Sequence, residues 1–254
     1  MHQPSSRGRV CMAIAFLSFA AAACAPAQPT AIAPVPRLIT PPYALPMVRQ
    51  WAESYAAEID TALPFDVEAD TLESALDVVE ESPGSVLIFS GTPPESWFVT
   101  PVASLPATFV VHPDNPVTDL RIRDLENLFT RRTADWSTLG GLSVGVQPVL
   151  PLPGEPVRDW FESIILRGSA PWPGTWLAPT PQSAYELVGS DPGAIGLILG
   201  SEAPETVRAV RIAGRLATVD PVGAGYPFIL DLLAFAPEGP RGGLRDFLVW
   251  LQEQ

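Results

Sequence analysis

The sequence predicts an α/β protein of two lobes with a ligand cleft between them. Stretches of strand character alternate with stretches of helical periodicity, and the alternation runs through twice, once up to Phe89 and again from Thr108. The runs SVLIF and AIGLIL are continuously apolar, as parallel strands covered by helices on both faces require. Ligands of such sheets collect in the crevice between two units, and hinge closure around them follows.

In chain order, LIT before Pro41 suits a short strand. PPYALPMVRQWAESYAAEID then sets Leu45, Val48, Ala52, Tyr55 and Ile59 on one helical stripe behind a proline pair that fits a helix start. FDVEA is the next strand. Thr71 caps a helix that buries Leu72, Ala75, Leu76 and Val79 until SPG stops it. SVLIF follows, with the polar loop SGTPPES behind it. The second unit opens on TFVV and the turn HPDNP, and continues into a helix with Ile122, Leu125, Leu128 and Phe129 inward. VQPVL leads through PLPGEP to a helix with Val157, Trp160, Phe161, Ile164 and Ile165 inward, and AIGLIL and VRAVRIA supply further strands. YPFILDLLAFAP is a long apolar strand or crossing segment. GGLRDFLVWLQ closes the chain as a helix burying Leu244, Phe247, Leu248 and Leu251.

Residues 1–23 stand apart from this fold. Arg7 and Arg9 precede the apolar run CMAIAFLSFAAAA, which has the basic start, apolar centre and small-residue end of a signal peptide. Ala21, Ala22 and Ala23 lead to Cys24, an approach that resembles the lipobox of bacterial lipoproteins, with Ala21 where a Leu is usual. The resemblance implies lipidation at Cys24 and an extracytoplasmic chain tethered to a bacterial membrane; a plain secretory signal or a retained anchor are the alternatives. APAQPTAIAPVP makes residues 24–36 an extended spacer. With Cys11 removed and Cys24 lipidated, no thiol remains for a disulfide.

The formal charge is −13, and all fifteen basic residues are Arg. The acidity argues against a nucleic-acid partner. The absence of Lys removes P-loop and Schiff-base chemistry. Beyond the signal segment His112 is the one histidine, which leaves no material for a His-based metal site or triad. In VVHPDNP it ends a strand beside a turn. The sequence therefore points to no enzyme, cofactor or metal.

The stretch FVVHPDNPVTDLRIRDLENLFTRRTADWSTLGG resembles the middle of the phosphate-type substrate-binding proteins of bacterial ABC importers, where an apolar strand leads to an NPDNPV-like turn and a helix ends in iFtGkitnWselGG. VQPVLPLPGEPVRDWF lies where that family writes GSGTRxxF, and DPGAIGLI matches its pGAIGY. The resemblance implies a type 2 periplasmic-binding-protein fold, with lobe I at 37–106 plus 226–254 and lobe II at 107–225. It also implies an ABC permease as partner and a small-molecule solute held between the lobes by loop hydroxyls, helix-end N–H groups and an Arg. Carried over by position, the binding residues are Thr40, then Ser90, Gly91 and Thr92, and in lobe II Gly154 and Arg158.

This chain departs from the family where it matters most. Ser, Gly and Thr of the lobe II loop become Glu155, Pro156 and Val157. Two hydroxyls vanish, Pro156 has no N–H, and Glu155 brings a carboxylate to the seat. Like charges ~4 Å apart repel by about 1 kcal/mol in bulk water and about 4 kcal/mol at an intermediate dielectric. Each lost donor costs about 1 kcal/mol besides. Only Leu87, Ile88 or Phe89 stands where the family has an acidic residue for hydrogen phosphate. An oxyanion remains among the candidate solutes, but phosphate held in the family's manner is disfavoured.

Each candidate also has a structural role open to it. Arg158 can pair locally with Glu155 or Asp159, and Ser90 and Thr92 can satisfy turn backbone. Trp97, Trp172 and Trp176 sit in loop-like stretches where rings either stack on sugars or pack on the core. The sequence thus supports an extracytoplasmic solute-binding lipoprotein with a degenerate ligand loop, or a surface lipoprotein that keeps the fold as a sensor or interaction module.

Overall fold

A computed structural model describes residues 35–218 and 225–254. The signal segment 1–23, Cys24 and most of the spacer lie outside the described residues. No helix among the described residues is long and apolar enough to cross a membrane.

The first half builds β1 (Arg37–Thr40), α1 (Leu45–Glu58), β2 (Asp66–Ala69), α2 (Leu72–Glu81) and β3 (Val86–Phe89). β1 lies between β2 and β3, parallel to both. Thr71 caps α2 as predicted, its hydroxyl accepting the Ser74 N–H at 3.4 Å. α1 buries Val48, Ala52 and Tyr55. Ile59 does not complete the stripe: it is 38% exposed, because the chain leaves the helix there and Asp60 takes a φ of 50°.

The predicted strand TFVV is the end of a much longer one, β4 (Phe98–Val111), 14 residues carrying Pro101 and Pro106. Proline inside a strand removes a ladder donor and usually argues against a central position. Here both prolines fall at breaks. Pro101 sits at a register shift against β11 (Ile229–Ala236), where Leu232 pairs with Ala103 and Leu233 with Pro101. Pro106 is the last residue paired with β11; from Ala107 onward β4 pairs with β8 (Ala194–Leu199) instead.

The second half adds β5 (Asp119–Leu120), α3 (Ile122–Phe129), a 3-10 turn at Trp136–Leu139, β6 (Gln147–Pro151), α4 (Pro156–Ile164), β7 (Trp176–Ala178), α5 (Pro181–Ser190), β9 (Arg208–Ala209) and β10 (Arg211–Ile212); α6 (Gly242–Gln252) follows β11. The nine-stranded sheet runs β2-β1-β3-β11-β4-β8-β6-β7, with β9 beside β4. It is parallel within β2-β1-β3 and β8-β6-β7, but β11 and β4 are antiparallel to their neighbours, so the sheet is mixed. VRAVRIA is not one strand: β9 pairs with β4 and β10 with β5. α5 escaped the periodicity reading, although Thr180 caps it with Ser183 and Pro181 opens it.

Packing follows the apolar stripes. In the second half Phe129 and Phe161 meet edge to face at 4.7 Å between ring centroids, with Phe109 about 6 Å from each. The predicted inward Ile164 is instead 50% exposed. Val157, Phe161 and Ile165, spaced four apart, make the buried face of α4, and Ile164 falls off its edge. Trp136 is fully buried and donates from Nε1 to the Gly193 carbonyl at 2.8 Å. In the first half Phe247 of α6 packs on Phe65 and Tyr55. His112 directly follows β4 at a turn, its Nδ1 accepting the Asp114 N–H at 3.1 Å. The turn is braced by Arg208, which donates to the Asn115 and Val117 carbonyls.

Phe161→Ala is expected to destabilise the protein by about 3–5 kcal/mol, whereas Ile164→Ala should change it by no more than about 0.5 kcal/mol. Urea unfolding of both variants checks the assignment of the buried face.

Candidate functional site

The loops that the sequence singles out come from β1, β3 and β6, each on the C-terminal side of its strand, where open α/β sheets seat ligands. Between them lies a partly open pocket of about 10 Å³ lined by Pro41, Tyr43, Ser90, Glu155, Val157 and Leu199, among others. A single water needs roughly 10–15 Å³ on the same measure. The seat, as it stands, is full.

Two side chains fill it. Tyr43, from the turn between β1 and α1, is 2% exposed and packs within the second-half core. Its hydroxyl donates to the Leu197 carbonyl of β8 at 3.0 Å. Burial pushes its phenol pKa up, so the hydroxyl stays a donor. Glu155, at the N-cap of α4, is 5% exposed, and its Oε2 accepts the Tyr43 backbone N–H at 3.3 Å. The carboxylate thus ties the β1–α1 turn to the start of α4.

The remaining donors are mostly spent within the chain. Thr40 is buried and gives its hydroxyl to the Ile88 carbonyl at 3.1 Å. At α4, Pro156 has no N–H, and those of Arg158 and Asp159 both bond the Glu155 carbonyl. Arg158 turns away from the seat: Nε bonds Glu162 at 2.7 Å and Nη1 the Pro151 carbonyl at 2.9 Å. Its partner is therefore Glu162, one turn on, rather than Glu155 or Asp159. Gly91, Thr92 and Gly154 are exposed and do not line the cavity. Gly154 instead makes the turn into α4 with a φ of 85°. Of the seven residues picked from sequence, Ser90 and Glu155 reach the seat. Tyr43 was missed, though an aromatic residue in PPYALP directly after the first strand was the available signal.

The tryptophans form no shared platform. Trp97 packs on Phe235, and Trp172 carries the Arg131 guanidinium 3.9 Å from its ring. No cluster of three or more His, Cys, Asp or Glu able to hold a metal occurs among the described residues.

Burial with one backbone donor is a poor setting for a carboxylate. Desolvation raises the Glu155 pKa above the usual glutamate range; the Tyr43 N–H opposes that rise and the neighbouring Asp159 adds to it. The folded state therefore holds this proton more tightly than the unfolded chain does. The group's contribution to stability is full below the unfolded value, roughly pH 4.3, and is lost as pH rises through the raised folded value.

No protein-family model matches the chain, and no curated protein matches it. Solved structures do. A phosphate ABC transporter substrate-binding protein with bound phosphate from Clostridium perfringens aligns with a TM-score of 0.73 at 18% identity, covering 85% of this chain and 92% of that one. An ABC-type phosphate transport receptor from Vibrio cholerae aligns at 0.66 and 16%, covering 86% and 93%. The C-terminal domain of a LysR-family transcriptional regulator from Rhodococcus sp. RHA1 aligns at 0.58 and 14%, covering 85% and 97%. The fold is that of the periplasmic-binding-protein-like α/β proteins, with two lobes and a cleft.

Glu155→Gln keeps an oxygen for the Tyr43 N–H and removes the buried charge. The variant should melt no lower than the parent at pH 7, with an advantage that grows between about pH 4 and 7. An advantage independent of pH, or a less stable variant at pH 7, would show that Glu155 is not a desolvated carboxylate.

Proposed function

We propose that the chain is an extracytoplasmic solute-binding lipoprotein with the architecture of a phosphate importer's binding component, but with a seat that takes no free oxyanion. On this proposal residues 1–23 are the signal peptide, Cys24 carries the lipid, 24–36 is the spacer, and an ABC permease receives the solute. Lobe I comprises 37–106 plus 226–254 and lobe II 107–225, a division supported by the change of partner that β4 makes after Pro106. The solute enters when the lobes part, and meets a carboxylate, a hydroxyl and apolar walls. That lining suits a group offering hydrogen-bond donors or positive charge.

The observation that carries this is the Glu155 carboxylate on the Tyr43 N–H. An incoming phosphate would have to displace it or lie beside it, with the Arg158 guanidinium committed to Glu162. The solved neighbours named for phosphate support the architecture, and the loop content opposes the same cargo here.

A second reading is favoured by the size of the cavity. A seat of about 10 Å³ closed by the chain's own side chains suits a lipoprotein that keeps the fold without transport, as a sensor or interaction module. The same fold serves as the C-terminal domain of a transcriptional regulator, so fold alone does not choose.

Thermal-shift titration with phosphate, sulfate, amines, amino acids and sugars separates these. A ligand at a hundred times its Kd stabilises by about 2.7 kcal/mol, roughly 5–10 °C for a chain of this size. No shift with micromolar phosphate and a saturable one with a cationic or donor-rich solute are expected. A phosphate shift of that size would overturn the oxyanion-refusing seat, and silence from every solute would overturn transport in favour of the module.

A further inference from the structure

Outside the cleft, the second half carries a groove that neither the cleft nor the core accounts for. It is a concavity of about 580 Å³ between α3, the loop after it and the end of α4, lined by Ile122, Arg123, Glu126, Asn127, Arg132, Ile165 and Arg167. None of these residues lines the seat. Its volume falls within the roughly 300–1,000 Å³ of small-molecule sites.

The groove's charge runs against that of the chain. Three guanidiniums face one carboxylate in a protein of net charge −13. Arg132 is held by Glu126 and reaches the Ser169 hydroxyl. Arg123 and Arg167 have no hydrogen-bond or ion-pair partner among the described residues, and neither does the Asn127 side-chain amide. Asp124, the carboxylate beside Arg123 in sequence, is engaged by Arg121 through Nε and Nη2, both at 3.0 Å. Arg167 is also set in place at a conformational cost. Its φ is 51°, a region L-residues rarely adopt, and it is followed by Gly168 at 85°.

We propose that this groove is a second binding site, for a phosphate-bearing anion larger than inorganic phosphate. Arg123 and Arg167 clamp the phosphoryl oxygens, the geometry for which guanidinium is suited. The Asn127 amide donates to a third, Arg132 stays fixed by Glu126 as a wall of positive potential, and the half-buried Ile122 receives the uncharged remainder of the ligand. A phosphomonoester in solution and the headgroup of an anionic phospholipid share this chemistry.

Isothermal titration of the full chain at low salt distinguishes the two sources, with glycerol 3-phosphate as the soluble probe and dihexanoyl phosphatidylglycerol as the headgroup probe. The double variant Arg123→Gln/Arg167→Gln should bind whichever probe is recognised roughly a hundredfold more weakly, about tenfold per guanidinium removed. Arg49→Gln/Arg245→Gln, on α1 and α6, makes the same change in net charge and should bind like the parent. Glu155→Gln should also bind like the parent, so that failure of this site and failure of the cleft reading are told apart. Binding of glycerol 3-phosphate with this pattern assigns a soluble ester; binding of the lipid alone assigns a membrane headgroup. Binding of neither probe, an unaffected Arg123/Arg167 variant, or an equal loss in the Arg49/Arg245 variant would overturn the proposal.

Discussion

The ladder that β4 makes, first with β11 and then with β8, is the constraint on which the rest of the molecule depends. One strand serves both halves of the sheet, and its hydrogen-bond partner changes between Pro106 and Ala107. Proline has no N–H to give to a ladder, so its place in a central strand is tolerable where the ladder is interrupted. The change of partner supplies that interruption, and the Ala107 N–H and Pro106 carbonyl find Phe228 and Gly200 instead. Apolar clusters then form on either side, the largest with Phe65, Tyr55 and Phe247 on one and with Phe109, Phe129 and Phe161 on the other.

Such a shared strand brings the ends of β1, β3 and β6 to one crevice, and there the chain has put its own atoms. In a seat that accepts an oxyanion, donors from both sides point at an empty space. Here Thr40 donates to Ile88, Tyr43 to Leu197 and Glu155, and Arg158 to Glu162 and Pro151. A buried carboxylate with one backbone donor is not an economical way to stabilise a fold. Its burial beside the β1–α1 turn is therefore more telling than a buried leucine would be.

Charge is distributed unevenly elsewhere as well. The chain has more acidic than basic residues, yet the groove beside α3 gathers three arginines around one glutamate. Guanidiniums without partners among the described residues raise local positive potential where the average field is negative. The seat and the groove thus differ in character: one buries a carboxylate on a single backbone donor, the other presents charge outward.

Much of the architecture was legible in the residues. Periodicity located α1, α2, α3, α4 and α6 and the apolar strands, because a 3.6-residue or continuous apolar pattern reports directly which face must leave water. Thr71 had its capping role for an equally local reason. The sequence also determined that the loop before α4 is poor in donors, since Pro156 has no N–H in any conformation and Glu155 carries a carboxylate wherever it lies. The tertiary structure alone decided the rest. The length of β4 was hidden because its prolines argue against a strand unless one knows where the ladder breaks. Arg158 could be told from a ligand clamp only once Glu162 and the Pro151 carbonyl were seen to hold it. The pairing of Glu155 with Tyr43 joins residues 112 positions apart. No local pattern encodes a contact of that kind, which exists because two halves of a sheet meet across one shared strand.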